Sequence, residues 1–141
     1  MESAININIK SIQHIGIPVT DIAVSASFYS KLGFTKAMEA PFQLNGETGI
    51  CIMMQRDEMM MELYQMPASL LPEIRSRNNG HIDHIAFDVA DIDEVYAIVK
   101  QGGFNIIEHE PVFLPEFWKN GCKYFNITGP DGEKLEFNQV L

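Results

Sequence analysis

His14-Ile15-Gly16-Ile17-Pro18-Val19-Thr20-Asp21-Ile22 returns 70 residues later as His84-Ile85-Ala86-Phe87-Asp88-Val89-Ala90-Asp91-Ile92. Self-similarity at a fixed spacing marks a structural unit used twice. Gly33-Phe34 recurs at that spacing as Gly103-Phe104, and Met61-Glu62-Leu63-Tyr64-Gln65 recurs 74 residues on as Leu135-Glu136-Phe137-Asn138-Gln139. The second copy therefore carries about four extra residues, which fall in the loop around 111–121.

Both copies read alike locally. Ile15, Ile17 and Val19 point to one face of a first strand, while His14, Gly16 and Pro18 point to the other. Asp21 and Asp91 stand at N-cap positions, and Glu94 three residues after Asp91 makes a capping-box-like pair. A helix follows in each copy. Ile92, Val95, Tyr96 and Val99 keep helical spacing before Gly102-Gly103, and Ile22, Ala26 and Tyr29 repeat this before Gly33. Three strands are predicted after each helix, over 34–39, 50–55 and 59–66 in the first copy and 104–109, 122–128 and 134–140 in the second. Pro130-Asp131-Gly132 and Arg56-Asp57-Glu58 supply the last turn of each copy. The expected fold class is α+β: two βαβββ modules, about 9–66 and 81–140, joined by a linker over 67–80 in one domain spanning 1–141. Their curved mixed sheets would enclose a metal-containing cavity.

Composition narrows the function. A chain of 141 residues, 46% hydrophobic, has enough apolar matter for a real core, and a net charge of -9 disfavours nucleic acid and anionic lipid as partners. No apolar run approaches the ~20 residues of a membrane span, and the first residues lack the basic and apolar regions of a signal peptide. The reading is cytoplasmic. Cys51 and Cys122 lie in apolar-leaning segments and read as reduced thiols.

The alternation then singles out four residues. His14 and His84 point away from the Ile/Val faces that pack beneath the helices, and so do Glu62, between Met61 and Leu63, and Glu136, between Leu135 and Phe137. An unpartnered carboxylate in an apolar strand is costly, so it needs a cation, an arginine or solvent. Two imidazoles and two carboxylates at repeat-equivalent positions form an N2O2 set suited to Zn, Ni, Co, Mn or Fe(II), with room for a substrate oxygen.

With those residues in place, the chain resembles the vicinal oxygen chelate superfamily, the glyoxalase/bleomycin-resistance/extradiol-dioxygenase group, over roughly residues 9–140. The resemblance is carried by 14–21, by Phe28-Tyr29-Ser30-Lys31-Leu32-Gly33-Phe34, by 84–91 and by Gly129-Pro130-Asp131-Gly132-Glu133-Lys134-Leu135-Glu136. A ligand at all four positions is similar to glyoxalase I, and implies a lyase or isomerase that moves a proton next to a carbonyl held by the metal. Glu136 would be the base, with Glu62 as second base or ligand. The family's dioxygenases and fosfomycin-resistance proteins use a His, His, Glu triad, and its bleomycin-binding members typically lack the metal set. Pro18 and Met66 stand in the neighbourhoods where glutathione-using glyoxalases carry an Arg and an Asn, so the resemblance does not extend to the glutathione contacts. Gly46-Glu47-Thr48-Gly49-Ile50 is similar to the place where methylmalonyl-CoA epimerases carry a catalytic glutamate, which makes Glu47 a further candidate and an acyl-thioester epimerase an alternative. An extradiol-type dioxygenase and a non-catalytic binding or resistance protein complete the alternatives, the last suggested by Phe113, Phe117 and Trp118. The implied partners are a small carbonyl or thioester substrate and a second copy of the chain. The four ligands would come from one chain or half from each of two.

Overall fold

A computed structural model describes residues 14–79, 82, 84–115 and 117–141. The expected start of module one at 9, the N-terminal segment read as unlike a signal peptide, residues 80–81 where linker and module two were to meet, and Glu116 lie outside these. In chain order come β1 (Ile15–Val19), α1 (Ile22–Lys31), β2 (Thr35–Leu44), β3 (Glu47–Arg56), β4 (Met59–Gln65), a 3-10 turn (Ala68–Leu70) and α2 (Leu71–Ser76). The second half continues with β5 (Ile85–Asp88), α3 (Ile92–Gln101), β6 (Val112–Leu114), β7 (Cys122–Thr128) and β8 (Lys134–Val140). The strands form two sheets of identical plan, β1-β4-β3-β2 and β5-β8-β7-β6. In each the first strand runs parallel to the last and the other pairs are antiparallel, so the two βαβββ modules and the α+β class are as expected. The register repeats too: Gly16 pairs with Glu62, and Ala86 with Glu136.

Local chemistry fixes where the helices begin. Asp21 accepts from the N–H groups of Ala23 and Val24 at 3.1 and 3.2 Å, and Asp91 from that of Glu94 at 3.1 Å. The glutamine ending each repeat adds a second cap. Gln65 Oε1 accepts from Ile22 N–H at 2.8 Å and Gln139 Oε1 from Ile92 N–H at 2.9 Å, which ties the last strand of each module to the first turn of its helix. Gly33 and Gly103, at φ 86° and 76°, turn the chain out of each helix through the left-handed region.

The helix-side residues of both modules merge into one core, including Ile17, Val19, Met61 and Leu63 from the first and Ile85, Phe125, Leu135 and Phe137 from the second. Contacts across the boundary join these sides. The rings of Phe34 and Phe87 lie 6.0 Å apart and those of Phe28 and Phe104 5.6 Å apart. Tyr29 donates to Glu133 Oε1 at 3.0 Å, and the Thr20 N–H and hydroxyl donate to Asp131. Because side chains alternate along a strand, the faces carrying Glu62 and Glu136 point away from this shared core.

Two expectations need correction. The strand predicted over 104–109 is replaced by β6 at Val112–Leu114, leaving only an isolated bridge between Ile106 and Ile127. The reason is a side chain: the Glu108 carboxylate accepts the backbone N–H of Asn126 at 2.5 Å, a donor that an adjoining strand would otherwise take. β2 and β3 run longer than expected because Asn45-Gly46, both at positive φ, closes them into a hairpin. The linker over 67–80 carries the 3-10 turn and α2.

Candidate functional site

His14 directly precedes β1, and its Nε2 lies 3.2 Å from Glu62 Oε2, with their side chains 34% and 27% exposed. An imidazole and a carboxylate from two paired strands thus converge at a half-open face. Glu136 occupies the matching place in module two, where Asn138 Nδ2 donates to its Oε2 at 3.2 Å. His84 directly precedes β5, two residues before the Glu136 partner Ala86, as His14 stands two residues before Gly16. The four candidates do not gather within the chain. Among the described residues no group of three or more His, Cys, Asp or Glu stands close enough to hold one ion.

Glu47 starts β3 on the same side as Glu62, because Met53 is the cross-strand partner of Glu62 and the two positions differ by an even step. It lies six residues along the strand from Met53, about 20 Å at the usual rise, and it accepts from the Ser69 hydroxyl. Cys51 and Cys122 are both free thiols. Cys51 is half-buried beside Glu62 rather than in the core. Burial first, and then the neighbouring Glu62 charge, push its thiol up from the ordinary value.

The surroundings of the two carboxylates differ. Around Glu62 the same face presents Met53, Cys51 and Tyr64, whereas the equivalent positions around Glu136 are Asn126, Tyr124 and Asn138. The sequence reading passed over Asn126 and Glu108, although Asn138 stood in the repeated motif itself. Phe113, Phe117 and Trp118 are exposed, Trp118 the most at 68%. A cavity of about 480 Å³ lies on the other side of the molecule, between the modules, where Phe34, Phe87, Phe104 and Phe137 line it and Lys31 and Arg56 border it. It is apart from the faces that carry Glu62 and Glu136.

The family model for the Glyoxalase/Bleomycin resistance protein/Dioxygenase superfamily matches residues 11–137. The chain belongs to this superfamily. It is 35% identical over 132 residues to the uncharacterized protein YwbC of Bacillus subtilis (strain 168), covering 92% of this chain and 98% of that one. It is 30% identical over 136 residues to the uncharacterized protein YaeR of Escherichia coli (strain K12), with 92% and 96% covered. Among solved structures it is similar to TnmS3, an antibiotic binding protein from Streptomyces sp. CB03234, with a TM-score of 0.70, 16% identity, and 96% and 100% coverage. Among the described residues no helix is long and apolar enough to cross a membrane.

Proposed function

We propose that the chain is a divalent-metal-dependent enzyme of the glyoxalase I type, shifting a proton beside the carbonyl of a small substrate. Each metal centre would join His14 and Glu62 of one chain to His84 and Glu136 of a second copy. The observation that carries this reading is the 3.2 Å His14–Glu62 contact on a strand pairing that module two repeats at Ala86 and Glu136. The residues present fit such an ion as two half-sets: each offers one imidazole nitrogen and one carboxylate, and together they make an N2O2 shell. Since Glu62 and Glu136 occupy strand positions that alternate with core residues, closure by a two-fold related copy would complete two equal centres in an isologous dimer.

When bound, the ion supplies the Lewis acidity that makes a C–H beside a carbonyl more acidic. The chain's own groups do the rest. Asn138 holds Glu136 Oε2, which leaves Oε1 to take the proton from carbon and return it to the neighbouring carbon, with no change of oxidation state. Glu62, steadied by His14, is the pseudo-symmetric acid or base on the other side of the substrate. Glu47 is too far along β3 to share this task within its own half-site, which favours Glu136 and Glu62 over an epimerase mechanism centred on Glu47.

The test is proton exchange from solvent deuterium into the α-carbon of hemithioacetals and acyl thioesters by metal-loaded protein, beside elemental analysis. About one ion per chain with exchange in one of these classes is the expected result. Catechol opening with O2 uptake and no exchange would replace this reading by a dioxygenase. Failure to hold metal under any loading condition would replace it by the binding function, to which the fold of TnmS3 and the exposed Phe117 and Trp118 lend support.

A further inference from the structure

The cavity of about 480 Å³ between the modules contains none of the candidate metal ligands among its lining residues. Its wall is aromatic. Phe34 comes from module one and Phe87, Phe104 and Phe137 from module two, with the Phe87 ring 6.0 Å from Phe34 and 5.7 Å from Phe137. Four charged residues border it: Lys31, Arg56 and Asp57 from module one, and Asp88 at the end of β5 from module two. Among the described residues none of these four forms an ion pair. The Arg56 guanidinium is nevertheless fixed on one side. Its Nη1 donates to the Leu32 carbonyl at 2.5 Å, and it packs over Gly33, where a Cβ would come within 3.0 Å of Nη1. The glycine that turns the chain out of α1 therefore also leaves room for this cation. Nε and Nη2 of Arg56, the Lys31 ammonium and the Asp88 carboxylate have no hydrogen-bond partner among the described residues.

Small-molecule sites are cavities of roughly 300–1,000 Å³ with apolar walls and a few polar groups that fix the ligand's orientation. This cavity has the size and the wall, and its rim carries both signs of charge in equal number. A ligand with a single charge meets a repelling group as well as an attracting one, and an uncharged one leaves all four unused. We propose that the cavity is a second binding site, separate from the metal centre, for an apolar zwitterion: a free apolar amino acid or a short apolar peptide. The ligand carboxylate takes the open donors of Arg56 and the Lys31 ammonium. Its ammonium pairs with Asp88 on the facing module, and its apolar side chain lies against Phe87 and Phe104. Charge-assisted hydrogen bonds of this kind are about twice as strong as neutral ones, so each end of the ligand contributes to recognition. Because one end is held by module one and the other by module two, binding stabilises the joined arrangement of the modules.

Compounds that carry one charge or both test it. Calorimetric titration of the full-length protein compares L-phenylalanine and L-leucyl-L-phenylalanine with hydrocinnamate, which keeps only the carboxylate, and phenethylamine, which keeps only the ammonium. One zwitterion per chain is expected, bound at least about tenfold more tightly than either single-charge compound. The tighter of the two zwitterions tells a free amino acid from a peptide. Asp88→Asn is expected to weaken the zwitterion about tenfold and to leave hydrocinnamate no weaker. Arg56→Gln gives the mirror pattern, weakening the zwitterion and leaving phenethylamine no weaker. Since that change also frees the Leu32 carbonyl, Lys31→Gln repeats the measurement without touching this contact. No saturable binding of either zwitterion overturns the site. Hydrocinnamate or phenethylamine binding as tightly as the zwitterions, or losses in the variants that do not follow the crossed pattern, overturns its assignment to zwitterions.

Discussion

Modules one and two are nearly superposable in plan, down to the glutamine that caps each helix and the small residue, Gly16 or Ala86, that pairs with each candidate carboxylate. What differs is the lining: sulfur and aromatic groups beside Glu62, amides beside Glu136. Duplication preserves positions that the backbone and a metal shell would both require, while neighbouring positions on the same face are free to diverge. A centre made from one half of each kind would be chemically directional, since a substrate would meet different partners at its two ends. The difference also extends to the edges of the sheets, where β2 pairs with β3 from Thr35 to Leu44 around a bulge at Ala37, whereas the corresponding part of module two gives up the Asn126 N–H to Glu108.

The strongest way to break the likeness of the modules is through their cores. Met61 and Leu135 are repeat-equivalent and buried at 2% and 0% exposure, so Met61→Ala and Leu135→Ala are each expected to cost about 2–5 kcal/mol in urea unfolding. A large loss in one and almost none in the other would mean that the modules do not share one cooperative core.

The next effect lies at the boundary between them. Tyr29→Phe removes the donor from a buried carboxylate oxygen of Glu133 and is expected to cost about 1–3 kcal/mol. Burial raises the Glu133 carboxyl above the usual range, with the Asp131 charge adding to it, so the fold favours the protonated form. The stability that this form contributes is fully present below the unfolded value of about 4.3 and is lost as pH rises through the folded value. Wild-type stability measured against Glu133→Gln is therefore expected to fall as pH rises above about 4.3; a difference that does not change with pH would contradict the assignment.

Smallest is the contrast between the caps. Asp21 satisfies two helix N–H groups and Asp91 one, so Asp21→Ala is expected to lose about 1 kcal/mol or more and Asp91→Ala less. The reverse order in thermal denaturation would show that these hydrogen bonds do not set the helix starts.

Much of this was legible in the sequence because it is local. Period-two alternation gave β7 and β8 their observed bounds, the aspartates and glycines bracketed both helices, and the duplicated glutamates fell on strand positions between core residues. β6 was not legible, because the carboxylate that displaces it belongs to Glu108 and acts on Asn126, a contact between residues 18 apart that no periodicity records. The Asn45-Gly46 pair, a hairpin signal in itself, carries β2 and β3 beyond their alternating stretches. How the faces are aimed was also beyond the pattern: contacts such as Phe34 with Phe87 and Tyr29 with Glu133 join the helix sides of the modules, and these lie 53 and 104 positions apart in the chain. Under the proposed shared centre, that arrangement would leave each chain with two half-sites.

The most direct test of that claim is metal binding by mixed dimers. In the proposed dimer, His14→Ala and Glu136→Ala chains would each lack a ligand at both centres, so each alone is expected to bind divalent metal on the order of a hundredfold more weakly. Unfolded together and refolded as a mixture, the hybrid dimer joins the intact His14 and Glu62 of one chain to the intact His84 and Glu136 of the other. The expected result is one restored high-affinity ion per hybrid dimer by competition titration. No restoration on mixing, or a monomer in sedimentation that holds the metal at full affinity, would contradict the shared centre.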